Sequence, residues 1–248
     1  MTTPQAAAER AERLTSPGPG PGERFAGYGV MGLPFRSGHY LALRRWPANP
    51  FGRPYHSVWH RDPDGRWVFY GDTPTDASCP RYFDAAIASA VMADISIRWA
   101  EPYRLVVEVG GLLTWNLELG RTPATTLMTS AARLMPRAMW DNRMVLAAMG
   151  RAATPVLRSG RIRLSGTVPN GQWFKASPRQ IWNVADSTAI LDGVDLGAPG
   201  ALPEQARLGD FWLPQRGIFW AGGTTLEEFD PNRHRAPRPA AMQISTRT

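Results

Sequence analysis

Four histidines and one cysteine are the side chains of this chain suited to acid–base, thiol or metal chemistry near neutral pH. His56 and His60 lie four residues apart in Tyr55-His56-Ser57-Val58-Trp59-His60. On a helix that spacing sets both rings on one face, as a two-histidine metal site requires. The aromatic and β-branched neighbours favour a strand, where the two are roughly 13 Å apart and beyond the reach of one ion. The sequence therefore predicts no metal and no cofactor, and makes His56 and His60 the candidate general acid–base residues.

Cys79, in Asp76-Ala77-Ser78-Cys79-Pro80-Arg81, has no base that the sequence can assign to it and reads as a loop or core thiol. Gly27-Tyr28-Gly29-Val30-Met31-Gly32 matches the spacing of a dinucleotide loop. That motif needs a strand before it, a helix after it and an acid for the ribose. Here a Pro/Gly stretch precedes it, Pro34 follows, and no acid occurs between Arg24 and Arg61, so it reads as an entry loop. Arg207, Asp210 and Arg216 can form an ion network at a strand end or receive an anion, and burial beside Phe211 and Trp212 favours the network. Phosphate-loop, nucleophile-elbow, zinc-protease and zinc-ribbon patterns do not occur.

The elements that must position these groups are read from periodicity. Ile95, Ile97 and Trp99, then Tyr103, Leu105, Val107 and Val109, then Leu113, Trp115, Leu117 and Leu119 each alternate with polar residues. Three period-two runs with short turns at Glu101-Pro102 and Gly110-Gly111 predict an antiparallel meander with one apolar face. Strands are also expected at 39–46, 161–168, 172–176, 180–184 and 188–191. Residues 193–208, rich in Gly, Pro and Ala, read as a long surface loop. Tyr55–His60 and Arg66–Tyr70 flank a hairpin tip at Asp62–Gly65. Pairing across a four-residue tip sets His56, Val58, His60, Trp67 and Phe69 on one side, and these, with Trp99 and Trp115, are the expected ligand-binding residues. After Thr122 the period changes to 3.6, predicting helices at about 123–135 and 137–157. The period returns to two after Gly160.

Residues 1–22 contain a helix-prone piece and a Pro/Gly linker, and are expected to be disordered. Residues 23–230 are expected to form one β-rich domain with the helical insert at about 122–157. Residues 231–248, basic and Pro-rich, are expected to be a disordered tail. The 248-residue chain is 43% hydrophobic and 20% charged, which fits a globular domain. Its net charge of +7 is concentrated between Arg121 and Arg163, a window with eight Arg and one acid, Asp141. Arg133, Arg137, Arg143 and Arg151 are the expected basic surface, with an acidic partner or an anionic membrane as its counterpart and no nucleic-acid role. One Cys excludes an intrachain disulfide, and neither an apolar span nor a leader is visible, so a cytoplasmic location with surface membrane association is expected.

The fold expected is mainly β, an antiparallel barrel or sandwich with a central two-helix insert. With Trp99 and Trp115 in the meander and similar hairpin tips around Gly65 and Gly171, the chain resembles lipocalin-related proteins of the AttH and carotenoid 1,2-hydratase type over about Tyr55–Ala221. The resemblance implies a lipocalin-like barrel that binds or transforms greasy molecules such as isoprenoids, polyketides or lipids. Two functions follow. One is binding of a hydrophobic small molecule, with or without cofactor-free isomerase, hydratase or cyclase activity. The other is a non-enzymatic role at a membrane or partner through the Arg/Met-rich helices. The sequence leaves the oligomeric state open.

Overall fold

Alternating apolar residues over 95–119 do make three strands, and they lie at one end of a single curled sheet. The computed structural model describes residues 2–236, apart from the side chain of Arg137. The strands of the first half are β1 (Glu23–Pro34), β2 (Tyr40–Ala48), β3 (Tyr55–Arg61), β4 (Trp67–Gly71) and β5 (Ser89–Met92). The meander is β6 (Ile95–Glu101), β7 (Arg104–Val109) and β8 (Leu113–Gly120). Then come β9 (Ser165–Thr167), β10 (Trp173–Leu191), β11 (Val194–Asp195), β12 (Arg207–Leu208), β13 (Phe211–Trp212) and β14 (Ile218–Leu226). The helices are α1 (Pro4–Glu12), α2 (Pro80–Phe83), α3 (Pro123–Leu134) and α4 (Arg143–Leu157).

The main sheet runs β5-β4-β3-β2-β1-β14-β10-β8-β7-β6, with β9 and β11 paired to β10. Every pair is antiparallel except β4 with β5. The fold is therefore mainly β with a helical insert, as expected, and the sheet curls into a half-barrel, consistent with the expected barrel or sandwich. The curl brings the two ends of the sheet to one core: Leu41, Leu43 and Val58 pack with Leu105, Val107, Trp115 and Phe219. Each such fully buried side chain contributes about 1.5–3 kcal/mol.

α1 lays Ala7, Ala8 and Ala11 into the same core. Its Glu12 takes a two-pronged bond from Arg45 (2.9 and 2.8 Å) and a third from the Tyr28 hydroxyl at 2.8 Å. The expectation of a disordered start therefore fails at residues 4–12, where the alanine stripe packs on the core and Glu12 is tied to Arg45 and Tyr28. The chain from Ser16 to Gly22 is irregular and largely exposed. At the other end His234 is buried, and its Nε2 lies 2.5 Å from Glu227 Oε1. Within the expected tail His234 is thus packed while Pro231, Asn232 and Arg233 are exposed, and positions 237–248 lie outside the described residues.

The glycines at 27, 29 and 32 belong to β1 rather than to an entry loop. A Cβ on Gly27 would stand 2.0 Å from the Arg45 carbonyl oxygen, and one on Gly29 2.1 Å from that of Leu43. The glycine spacing is thus what lets β1 press against β2. Both ladders of β1 slip in this region, toward β14 between Val30 and Gly32 and toward β2 between Tyr28 and Leu33.

Three other expectations change. The separate strands expected between 172 and 191 are one strand, β10, with irregularities at Pro178/Gln180 and Val184/Asp186. The stretch 193–208 is not simply surface, since Leu196, Leu202, Ala206 and Leu208 are buried. In the insert, α3 starts directly after Thr122, where the period changes, and Thr122 caps it by closing a reciprocal box with Thr125. Arg137–Asp141 is only a tight 3-10 turn. α4 starts afresh after Asn142, whose side chain accepts from the N–H groups of Met144 and Val145. No helix among the described residues is long and apolar enough to cross a membrane.

Candidate ligand-binding cavity

β2 alternates strictly. Leu41 and Leu43 enter the core inside the curl, whereas Tyr40, Ala42 and Trp46 enter a second core on the sheet's other face. Arg44 falls on that second face, directly across from Ser57 on β3. Its neighbours there are rings: Trp59, stacked on Phe69 with centroids 4.3 Å apart, and Phe211 from the β12–β13 hairpin. A cavity opens among them, lined by Phe25, Arg44, Trp46, Tyr55, Trp59, Cys79, Tyr82, Phe83, Phe174, Phe211 and Trp220, among others. The centre of a water molecule can move through about 60 Å³ of it. A second, smaller cavity lies under the helical insert among Met128, Ala132, Met149 and Leu157, and Met31 and Pro178 line both.

Arg44 is 4% exposed. The interrupted ladders of β1 explain how a buried guanidinium is held there. It donates to the carbonyl oxygens of Val30 (2.6 Å), Leu43 (2.9 Å) and Met31 (3.1 Å), and its central carbon lies 4.4 Å from the Trp59 ring centroid. Burial lowers its pKa to about 10, so it stays cationic at neutral pH. The other titratable groups of the lining are kept neutral by burial. The Cys79 thiol is pushed up, its Sγ 3.6 Å from the Tyr55 hydroxyl. Tyr55 and Tyr82 are raised as well, Tyr82 further by Glu23, to which it donates at 2.7 Å. The indole N–H of Trp220 has no partner among the described residues.

The expected site residues are not brought together. The β3–β4 tip holds five residues, Asp62–Arg66, with Asp62 N–H donating to the Arg66 carbonyl at 3.0 Å and Arg61 paired with Trp67. One extra tip residue moves every side chain of the return strand to the opposite face. His56, Val58 and His60 thus share their side with Val68 and Tyr70, and Val58 and Tyr70 pack inside the curl. Trp67 and Phe69 fall on the cavity's face with Tyr55 and Trp59, as wall behind the lining. Trp115 is fully buried inside the curl, its indole N–H donated to Ser187, and Trp99 packs against the same core. Packed side chains occupy the inside of the curl, and this cavity sits on the other face.

His56 pairs with Asp72, Nδ1 to Oδ2 at 2.6 Å, and its backbone N–H donates to the same carboxylate at 2.8 Å. Burial pushes Asp72 up, but these bonds outweigh it and hold the carboxyl below its ordinary value. His60 stacks on His39, with Nε2 2.9 Å from Nδ1 of His39. Burial, then the charge of His39, lowers His60 to about 4. Asp210 pairs with Arg163 and accepts from the Thr167 N–H, so the network expected of Arg207, Asp210 and Arg216 has a different partner. Of the expected basic surface, Arg133, Arg143 and Arg151 are exposed, and Arg143 lies over the Trp173 ring at 4.1 Å. The side chain of Arg137 lies outside the described residues.

Sequence reasoning passed over Arg44. The signal was present: in Tyr40–Trp46 it shares a strand face with Tyr40, Ala42 and Trp46, which is an unusual place for a cation. No family model, curated protein or solved structure matches the chain.

Proposed function

We propose that this protein binds a largely apolar small molecule in the aromatic cavity on the outer face of the half-barrel. The observation that carries this reading is the lining itself: aromatic rings from distant segments, broken by few polar groups, which is the usual make-up of a small-molecule site. The resemblance to greasy-ligand β proteins of the AttH and carotenoid 1,2-hydratase type agrees with it and suggests an isoprenoid-, polyketide- or lipid-like ligand. Binding is favoured over acid–base catalysis, because Tyr55, Cys79 and Tyr82 are held protonated and the two candidate histidines turn away from the lining. Cys79 is the sole thiol and lines the cavity, which supplies the test. Native mass spectrometry of protein from its own host should show a bound mass, and added farnesol should slow modification of Cys79 by a thiol reagent. Absence of any adduct together with unchanged Cys79 labelling would remove the reading.

A second reading is favoured by one observation on the insert. Leu127, Leu134 and Met144 are 60%, 85% and 82% exposed beside the exposed Arg133, Arg143 and Arg151. Large apolar side chains among cations suit the surface of an anionic membrane.

A further inference from the structure

The cavity contains a buried cation, Arg44, with no acid among the described residues to balance it. The titratable groups that face Arg44 are Cys79, Tyr40 and Tyr55, all kept neutral at physiological pH by burial. Among the described residues, no Asp or Glu lines the cavity. Glu23, which touches the lining residue Tyr82, is already held by Arg81 (3.2 Å), Tyr82 (2.7 Å) and Gln172 (3.0 Å). A guanidinium has five N–H donors in a planar fork. Three of Arg44's are given to the carbonyls of Val30, Leu43 and Met31, which leaves two without a partner among the described residues.

Carbonyl oxygens and the Trp59 face are partial compensation, because they supply dipoles and a quadrupole but no net negative charge. A core that needed only apolar filling would hold Met or Leu at this position more cheaply, since a buried charge without a counter-ion is among the costlier things a fold can contain. A ligand that brings the missing negative charge gains what the empty site lacks, and gains it in a low-dielectric surround where the attraction is strong.

We infer that the ligand is an amphipathic carboxylate, its acid end bound by the two free N–H groups of Arg44 and its apolar body seated among Trp59, Phe174, Phe211 and Trp220. This rests on the cavity being a binding site at all. Met31 and Pro178, shared with the cavity beneath the helical insert, mark the direction in which a longer apolar body extends.

The test uses matched acid and alcohol pairs on the full chain: benzoate with benzyl alcohol, 1-naphthoate with 1-naphthalenemethanol, and farnesoate with farnesol. Affinity is read by tryptophan fluorescence, and seating in the cavity by slowed labelling of Cys79. The acid of at least one pair should bind about tenfold or more tightly than its alcohol, and Arg44→Met should erase that preference while the alcohol still binds. If Arg44→Met does not fold, Arg44→Lys keeps the charge without the fork and should cut the preference several-fold. Equal binding of acid and alcohol by the wild type overturns the carboxylate inference and leaves the cavity reading standing. A preference for the acid that survives both substitutions also overturns it, since another cation would then be responsible. No binding by any of the six compounds overturns the cavity reading, and the inference with it.

Discussion

The guanidinium carbon of Arg44 lies 4.4 Å from the centroid of the Trp59 ring, which also stacks on the near-parallel ring of Phe69 at 4.3 Å. A cation and two stacked rings thus form one unit that spans β2, β3 and β4. Trp59 supports the charge and shapes the cavity at once. Trp59→Leu should cost about 2–4 kcal/mol, from lost packing, ring stacking and cation–π contact together. Trp59→Phe, which keeps a ring, should cost clearly less. Urea denaturation of the two variants checks this, and equal losses would show that the ring itself contributes nothing special.

Gly29 connects the backbone to the site. Its absent Cβ leaves room for the Leu43 carbonyl, one of the three acceptors of Arg44. Gly29→Ala should force β1 and β2 apart and destabilise by about 1–3 kcal/mol. Gly52→Ala is the contrast: that residue has open space around it but a φ of +77°, so its cost comes from backbone strain alone. If Gly29→Ala melts like the wild type, the close approach of the two strands is not needed.

His60 should make stability depend on pH without touching ligand affinity. Its ordinary value of 6.5 is lowered to about 4 in the fold. Between those values the unfolded chain takes up a proton that the folded chain does not, so stability falls as pH drops through this window and the loss is complete below it. The full effect is on the order of 3 kcal/mol. Urea midpoints near pH 7 and near pH 5 should therefore differ more for the wild type than for His60→Gln. Identical pH responses would show that the His39–His60 pair is not the titrating unit, and a changed ligand affinity in His60→Gln would return the histidine to the site.

The membrane reading makes its own forecast. Sedimentation with liposomes should need anionic lipid and weaken as salt is raised, with a Debye length of about 8 Å at physiological ionic strength. Arg133→Glu with Arg151→Glu should abolish it, and Leu134→Ser with Met144→Ser should reduce it at constant charge. Equal sedimentation with neutral lipid, or none with either, removes this reading.

Much of the architecture is written locally. The meander from Ile95 to Leu119, the Thr122 helix start and the hairpin tip at Pro169–Gly171 all follow from period and turn chemistry, which depend on residues within a few positions of one another. Tertiary structure decided the rest. Whether the tip after Arg61 holds four residues or five is a matter of a single hydrogen-bonded register, yet it decides which face receives Trp67 and Phe69. β3 carries apolar groups on both faces, so its sequence does not say which face lies inside the curl and which meets the cover from α2 and the β12–β13 hairpin. The docking of α1 depends on Arg45 and Tyr28 meeting Glu12 across the fold. The cavity itself is assembled from Phe25, Arg44, Cys79, Phe174, Phe211 and Trp220, residues separated by long stretches of chain. Periodicity specifies the direction of a side chain relative to its own strand. What that side chain meets is set by the curl of the whole sheet, a property that no single stretch of the chain contains.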